Sequence, residues 1–163
     1  MEPSGRPDSF YATPVSKRLV GLIEHGAKEL TQQWMRDVRA QDSMPHYRAH
    51  DEDQVFERGF QVYSQLGRWL SQDMTKTEIR DYWMALGRER CREGYPLSEI
   101  VQALCLIRRH LWIKVDSEGL LDTALDLRHG IELFTRVLIF FDRAIYYAVI
   151  GYEAAEPEAP PRR

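Results

Sequence analysis

The chain has 163 residues, of which 44% are hydrophobic and 11% aromatic, and a net charge of −3. That size and apolar content suit one domain with its own core, and the acidic balance argues against a general nucleic-acid binder, which carries a basic surplus. The most apolar stretch, residues 137–152, carries Asp142 and Arg143 in its middle, whereas a spanning helix needs about 20 mostly apolar residues, so no membrane span is expected.

Residues 1–13 hold Pro3, Pro7, Gly5 and small polar side chains. They read as a flexible arm without the apolar segment of a signal peptide. One domain is expected over 14–152. Pro14 suits a helix start, and Leu19, Leu22, Ile23, Ala27, Leu30, Trp34 and Val38 follow at helical spacing. This first helix is predicted to fade near Gln41, and the stretch 42–50 reads as a loop. Asp51 with Gln54 resembles a capping box. Val55, Phe56, Gly59, Val62, Tyr63, Leu66, Trp69 and Leu70 then make a second amphipathic face.

Thr75 with Glu78 signals a third helix start. Ile79, Tyr82, Trp83, Leu86 and Arg90 share one of its sides, and it ends near Gly94. A fourth helix opens at Pro96–Ser98. It is apolar on most sides, from Leu97 through Val115, which marks a central helix. The segment 116–120 breaks it. The fifth helix is predicted from about Leu120 to Tyr152, with a joint near Arg128–Gly130. Residues 153–163, rich in Pro, Ala and Glu, read as a disordered tail. No segment alternates with period two, so the expected class is all-α, an antiparallel bundle of about five helices with a long C-terminal helix.

That last helix carries two apolar seams. Ile131, Phe134, Leu138, Phe141, Ile145, Ala148 and Tyr152 form an unbroken heptad seam. Leu133, Val137, Phe140, Ala144 and Tyr147 form a second beside it. One seam faces the domain core. The other is covered either by neighbouring helices or by a second copy of the chain. With the second seam free, Phe140 and Tyr147 would be exposed and a homodimer through this helix is the expected solution.

At 93–99, Gly94 suits a helix C-terminus, Pro96 pushes Tyr95 out of helix, and Glu99 favours the next helix dipole. The fourth helix is expected to pack back along the third. Residues 82–112 resemble the signature half of the N-terminal domain of the RsbRD family of RsbT co-antagonist proteins. Leu86, Gly87, Gly94, Tyr95, Pro96, Leu97, Ser98, Ile100, Ala103, Leu104 and Arg108 carry the resemblance, and Trp34 adds to it. The resemblance implies a bacterial, all-helical sensor or input domain, with no enzymatic activity and a regulatory protein as partner. Relatives stand before output modules. Here only the short Pro-rich tail follows Tyr152, so either an excised input domain or a stand-alone form acting through another protein is expected.

The candidate pocket or interface is the aromatic set Tyr82, Trp83, Trp112, Phe134, Phe140, Phe141 and Tyr147. Core packing competes with that role at each position. Arg88 and Arg92, with Arg108 and Arg109, are a candidate anion or partner patch, or else a solvated face with Glu89 and Glu93. Gly87, inside a helix, points to close helix approach. His110 is the candidate axial ligand if the bundle were a globin-like haem or small-molecule sensor. His46 and His50 are four apart, but a loop there would not hold a metal. The expectation is therefore no cofactor, no metal and no nucleic acid. Cys91 and Cys105 read as free thiols of a cytoplasmic protein.

Overall fold

The computed structural model describes residues 17–71, 74–118 and 122–158, and among these there are helices and no strand. The predicted arm at 1–13 and the end of the predicted tail lie outside the described residues. The chain runs through α1 (Lys17–His25), α2 (Ala27–Ala40), α3 (Pro45–Ala49), α4 (Glu52–Ser64), α5 (Leu66–Trp69), α6 (Lys76–Arg92), α7 (Leu97–Ser117) and α8 (Ala124–Ala155). The all-α class and the long last helix are as expected.

The differences have local causes. The first predicted helix divides at Gly26, where the backbone turns at φ −85° and ψ 6°. The second divides at Gln65. The predicted loop at 42–50 contains α3, started by Pro45 and capped from elsewhere in the fold. The joint near Arg128–Gly130 is absent, because Gly130 is buried inside a continuous α8. The helix also continues beyond Tyr152 to a buried Ala155 and a 3-10 turn at Glu156–Glu158, so the first residues of the predicted disordered tail are ordered.

Capping follows the sequence closely. Thr75 and Glu78 form the full reciprocal box at the start of α6. Asp51 accepts from the Gln54 N–H at 2.9 Å and starts α4. At the far end of α6, the Tyr95 N–H bonds the Arg90 carbonyl and the Gly94 N–H bonds that of Cys91, both at 3.0 Å. This is a Schellman stop with Gly94 at φ +84°.

The junction does not fold α7 back along α6. The principal partner of α6 is α8, while α7 packs on α2 and α8. The reason is the lack of side chains at two facing glycines. A Cβ on Gly87 would lie 2.0 Å from the Ala148 carbonyl oxygen, and one on Gly151 would lie 2.0 Å from that of Met84. Met84 meets Gly151 and Gly87 meets Ala148, so the two helices are antiparallel and nearly in backbone contact.

Across the bundle, the buried Trp34 indole donates to the Ala103 carbonyl at 3.1 Å. The Tyr63 hydroxyl donates to the Ile107 carbonyl at 2.9 Å. These two bonds pin α2 and α4 to the central α7. Burial pushes the phenols of Tyr47, Tyr63 and Tyr95 upward, that of Tyr95 to about 12. Free tyrosines ionise at about 10, so above that pH the unfolded chain releases protons that the folded chain retains. The stabilising contribution is complete below pH 10 and is lost as pH rises through the folded values. The urea midpoint is expected to fall between about pH 10 and 12, together with tyrosinate absorbance on unfolding. A midpoint constant over that range would contradict this reading.

Candidate functional site

The two seams of α8 are used in the opposite sense to the one that would free Phe140 and Tyr147. Leu133, Val137, Phe140 and Ala144 are buried, and Tyr147 is half-buried beside Tyr146. Phe140 is 4% exposed and covered by the chain's own packing. The other seam divides along its length. Its later half, Phe141, Ala148 and Tyr152, is buried, whereas Ile131 is 58% and Phe134 47% exposed. Leu138 is at the edge of exposure, and Leu127 and Leu125 extend the exposed stretch toward the helix start. From α7, Ile113 is exposed, and the half-buried Trp112 ring lies 5.1 Å from that of Phe134. The result is a contiguous apolar strip on the first half of α8 with a flank from α7.

The predicted aromatic set thus falls into separate places. Tyr82, Trp83, Phe140 and Phe141 meet in one cluster, organised by a residue outside that set, Trp69. Its ring lies 4.8 Å from Tyr82, 5.8 Å from Trp83 and 5.6 Å from Phe140. Trp112 and Phe134 belong to the strip. Beside the cluster, α5, the start of α6 and α8 bound a cleft of about 290 Å³.

The Gly94–Tyr95–Pro96 junction is the second organised region. The Tyr95 ring is buried 4.8 Å from Tyr47 and 5.2 Å from His50. Its carbonyl accepts from the Tyr152 hydroxyl at 2.7 Å, which ties the junction to the end of α8. Beneath it, Arg58 reaches Glu93 at 2.7 Å, and the buried Arg90 reaches Glu93 at 3.0 Å and Glu89 at 3.4 Å. Glu99, also buried, accepts from the His46 backbone N–H at 3.1 Å and lies 2.7 Å from its ring Nδ1. A carboxylate from α7 therefore caps α3.

The family model described as the RsbT co-antagonist protein rsbRD N-terminal domain matches residues 28–163. The chain belongs to this family. An RsbRD N-terminal domain is a regulatory domain of stress-response signalling. No curated protein and no solved structure matches the chain.

In this RsbRD N-terminal domain the four predicted arginines do not form one patch. Arg88, Arg92 and Arg109 are exposed. Arg108 reaches Asp142 on α8 at 3.8 Å. They were expected to converge through an α6–α7 hairpin, and α6 pairs with α8 instead. The ion cluster that does form uses Arg58 and Arg90. His110 Nε2 lies 3.1 Å from Asp37 Oδ2, in an ion-pair setting. His50 faces Gln54 and His46 faces Glu99. Among the described residues no group of three or more His, Cys, Asp or Glu side chains is placed to hold a metal. No described helix is long and apolar enough to cross a membrane. Cys91 and Cys105 are both free thiols.

Leu127 and Trp69 were missed by the sequence reading. Leu127 lies four residues before Ile131 and continues the seam, a signal hidden by the joint expected at Arg128–Gly130. Trp69 lay on a predicted apolar face, with nothing in its own helix to set it apart.

Proposed function

We propose that this domain is a non-enzymatic cytoplasmic regulator that docks a second copy of itself on the exposed α8 strip and relays a signal by shifting α8. The observation that carries this reading is the exposure of Leu127, Ile131, Phe134 and Leu138 in successive steps of four, three and four. That spacing is a heptad seam, and a seam on one helix is completed by the same seam on a second chain. The flanking charges favour a like partner. Exposed Arg128 lies 3.4 Å from Glu132 on the same helix, so one strip offers both signs and suits its own copy.

The rest of α8 gives the strip something to move. Its second half is locked to α6 at Gly87 and to the Tyr95 carbonyl through Tyr152. A change in how two strips pack is transmitted along one continuous helix to the α6 end and the junction. A further regulatory protein would read that change.

The test is Ile131→Asp with Phe134→Asp, followed by light scattering behind size exclusion. Both side chains are exposed, so helical content and cooperative unfolding are expected to persist. Self-association is expected to weaken by about a hundredfold or more. Unchanged association in the double variant would refute the strip as the contact.

A further inference from the structure

We infer that the segment ahead of α1 lays Phe10 and Tyr11 on the apolar strip of its own chain, where a second copy must displace them before it docks. The seating follows from the strip and the segment alone, and its effect on association rests on the self-docking reading above.

Position is the first ground. Helix α1 opens at Lys17, and Arg18 in its first turn lies 3.8 Å from Asp126 in the first turn of α8. An exposed ion pair adds little stability, but this one marks where the preceding residues enter. They enter beside Leu125 and Leu127, both exposed, at the start of the strip. Phe10 lies seven residues before Lys17, a reach of up to about 24 Å when extended. Asp126 and Phe134 are eight residues apart on one helix, a distance of about 12 Å. The segment therefore spans the strip from Leu125 to Phe134 with length to spare.

Chemistry is the second ground. Apart from Met1, Phe10, Tyr11 and Val15, residues 1–16 are Pro, Gly, Ala, Ser, Thr and charged residues. Two adjacent rings in such a setting carry a large apolar area that stays in water unless a surface takes it. The strip presents a receiver of the same kind. The half-buried Trp112 ring lies 5.1 Å from that of Phe134, and Ile113 and Ile131 are exposed. Aromatic pairs gain from offset or edge-on contact beyond the area they bury. Pro7 and Pro14 bracket the two rings. Each fixes a backbone angle and so lowers the entropy lost when the segment settles.

The tether is the third ground. A link this short holds the rings near the strip at an effective concentration of about millimolar, so a weak contact suffices to fill it. With the strip open in about one third of molecules, both copies must be open for docking, and association is weakened about tenfold.

The experiment compares the full chain with its Phe10→Ser, Tyr11→Ser variant. Both substitutions lie ahead of α1, so helical content is expected to be unchanged. Carbon–proton spectra of the isoleucine δ1 methyls are taken at concentrations where sedimentation finds monomer, with signals assigned by single Ile→Val substitutions. Loss of the two rings is expected to move the Ile131 and Ile113 signals and to leave those of the buried Ile23 and Ile107 in place. Unmoved Ile131 and Ile113 signals would overturn the inference. So would equal movement of Ile23 and Ile107. Self-association of the variant is expected to tighten about tenfold. Where the Ile131→Asp, Phe134→Asp variant has established the strip as the contact, unchanged or weaker association without the rings would also overturn it. If that Asp variant associates as the unmodified chain does, self-docking on the strip fails, and the methyl signals alone decide whether the rings are seated there.

Discussion

Replacing Gly87 or Gly151 with alanine is expected to lower the unfolding free energy by about 3 kcal/mol, at the upper end of what overpacking usually costs. The added methyl would stand 2.0 Å from a main-chain carbonyl of the facing helix at either position. The obstacle is backbone on a second helix, so neither a rotamer change nor a small side-chain shift can relieve it. Alanine's better helix propensity returns about 1 kcal/mol, which the separation of α6 from α8 exceeds. For a chain of this length the melting temperature should drop by about 6–12 °C. Gly21→Ala is the matched control. It is also helical, and a Cβ there meets only His25 Nδ1 at 4.0 Å. That variant should be stabilised by up to about 1 kcal/mol. Equal behaviour of the Gly87 and Gly21 variants in urea would contradict the close α6–α8 crossing.

Glu99→Ala should be the second large effect, at about 2–3 kcal/mol. The carboxylate is buried and is the partner of two backbone N–H groups at the start of α3, those of His46 and Tyr47, and of the His46 ring. Removal takes away the acceptor of both N–H groups and frees the helix carrying Tyr47. Tyr47 in turn packs against both Tyr95 and Trp34. Glu99→Gln keeps the shape and one accepting oxygen, so its cost should be about half as large. Urea unfolding of both variants measures the difference. Near-identical stability of Glu99→Ala and the unmodified chain would show that the α3 cap is unimportant.

The elements that depend on near neighbours were readable from the residues. Thr75 and Glu78 announced a helix start, Gly94 announced a stop, and Gly87 marked a close helix contact. Each of those signals acts within one turn or follows from one missing side chain. What could not be read depends on distant groups. The cap of α3 comes from Glu99, on another helix, so residues 42–50 looked like a loop. Phe140 and Phe134 are equally apolar, and only the choice of α8 rather than α7 as the partner of α6 decides which is covered. That choice rests on Gly87 meeting Ala148 and Gly151 meeting Met84, a pairing invisible to periodicity within either helix. The same choice scattered Arg88 and Arg92 from Arg108 and Arg109. Trp69 became the centre of an aromatic cluster only when α5 was set beside α8.

These features connect the strip to the remainder of the fold through one rigid element. Ile131 and Phe134 stand near the start of α8, Gly151 and Tyr152 near its end, and the helix between them is unbroken. A second copy seated on the strip would therefore bear on the α6 crossing and the Tyr95 junction together. Sedimentation equilibrium of the unmodified chain, run across a wide concentration range, tests this most directly. The expected result is a reversible monomer–dimer equilibrium with the dimer dominant at the higher concentrations. A single ideal monomer at every concentration would contradict it.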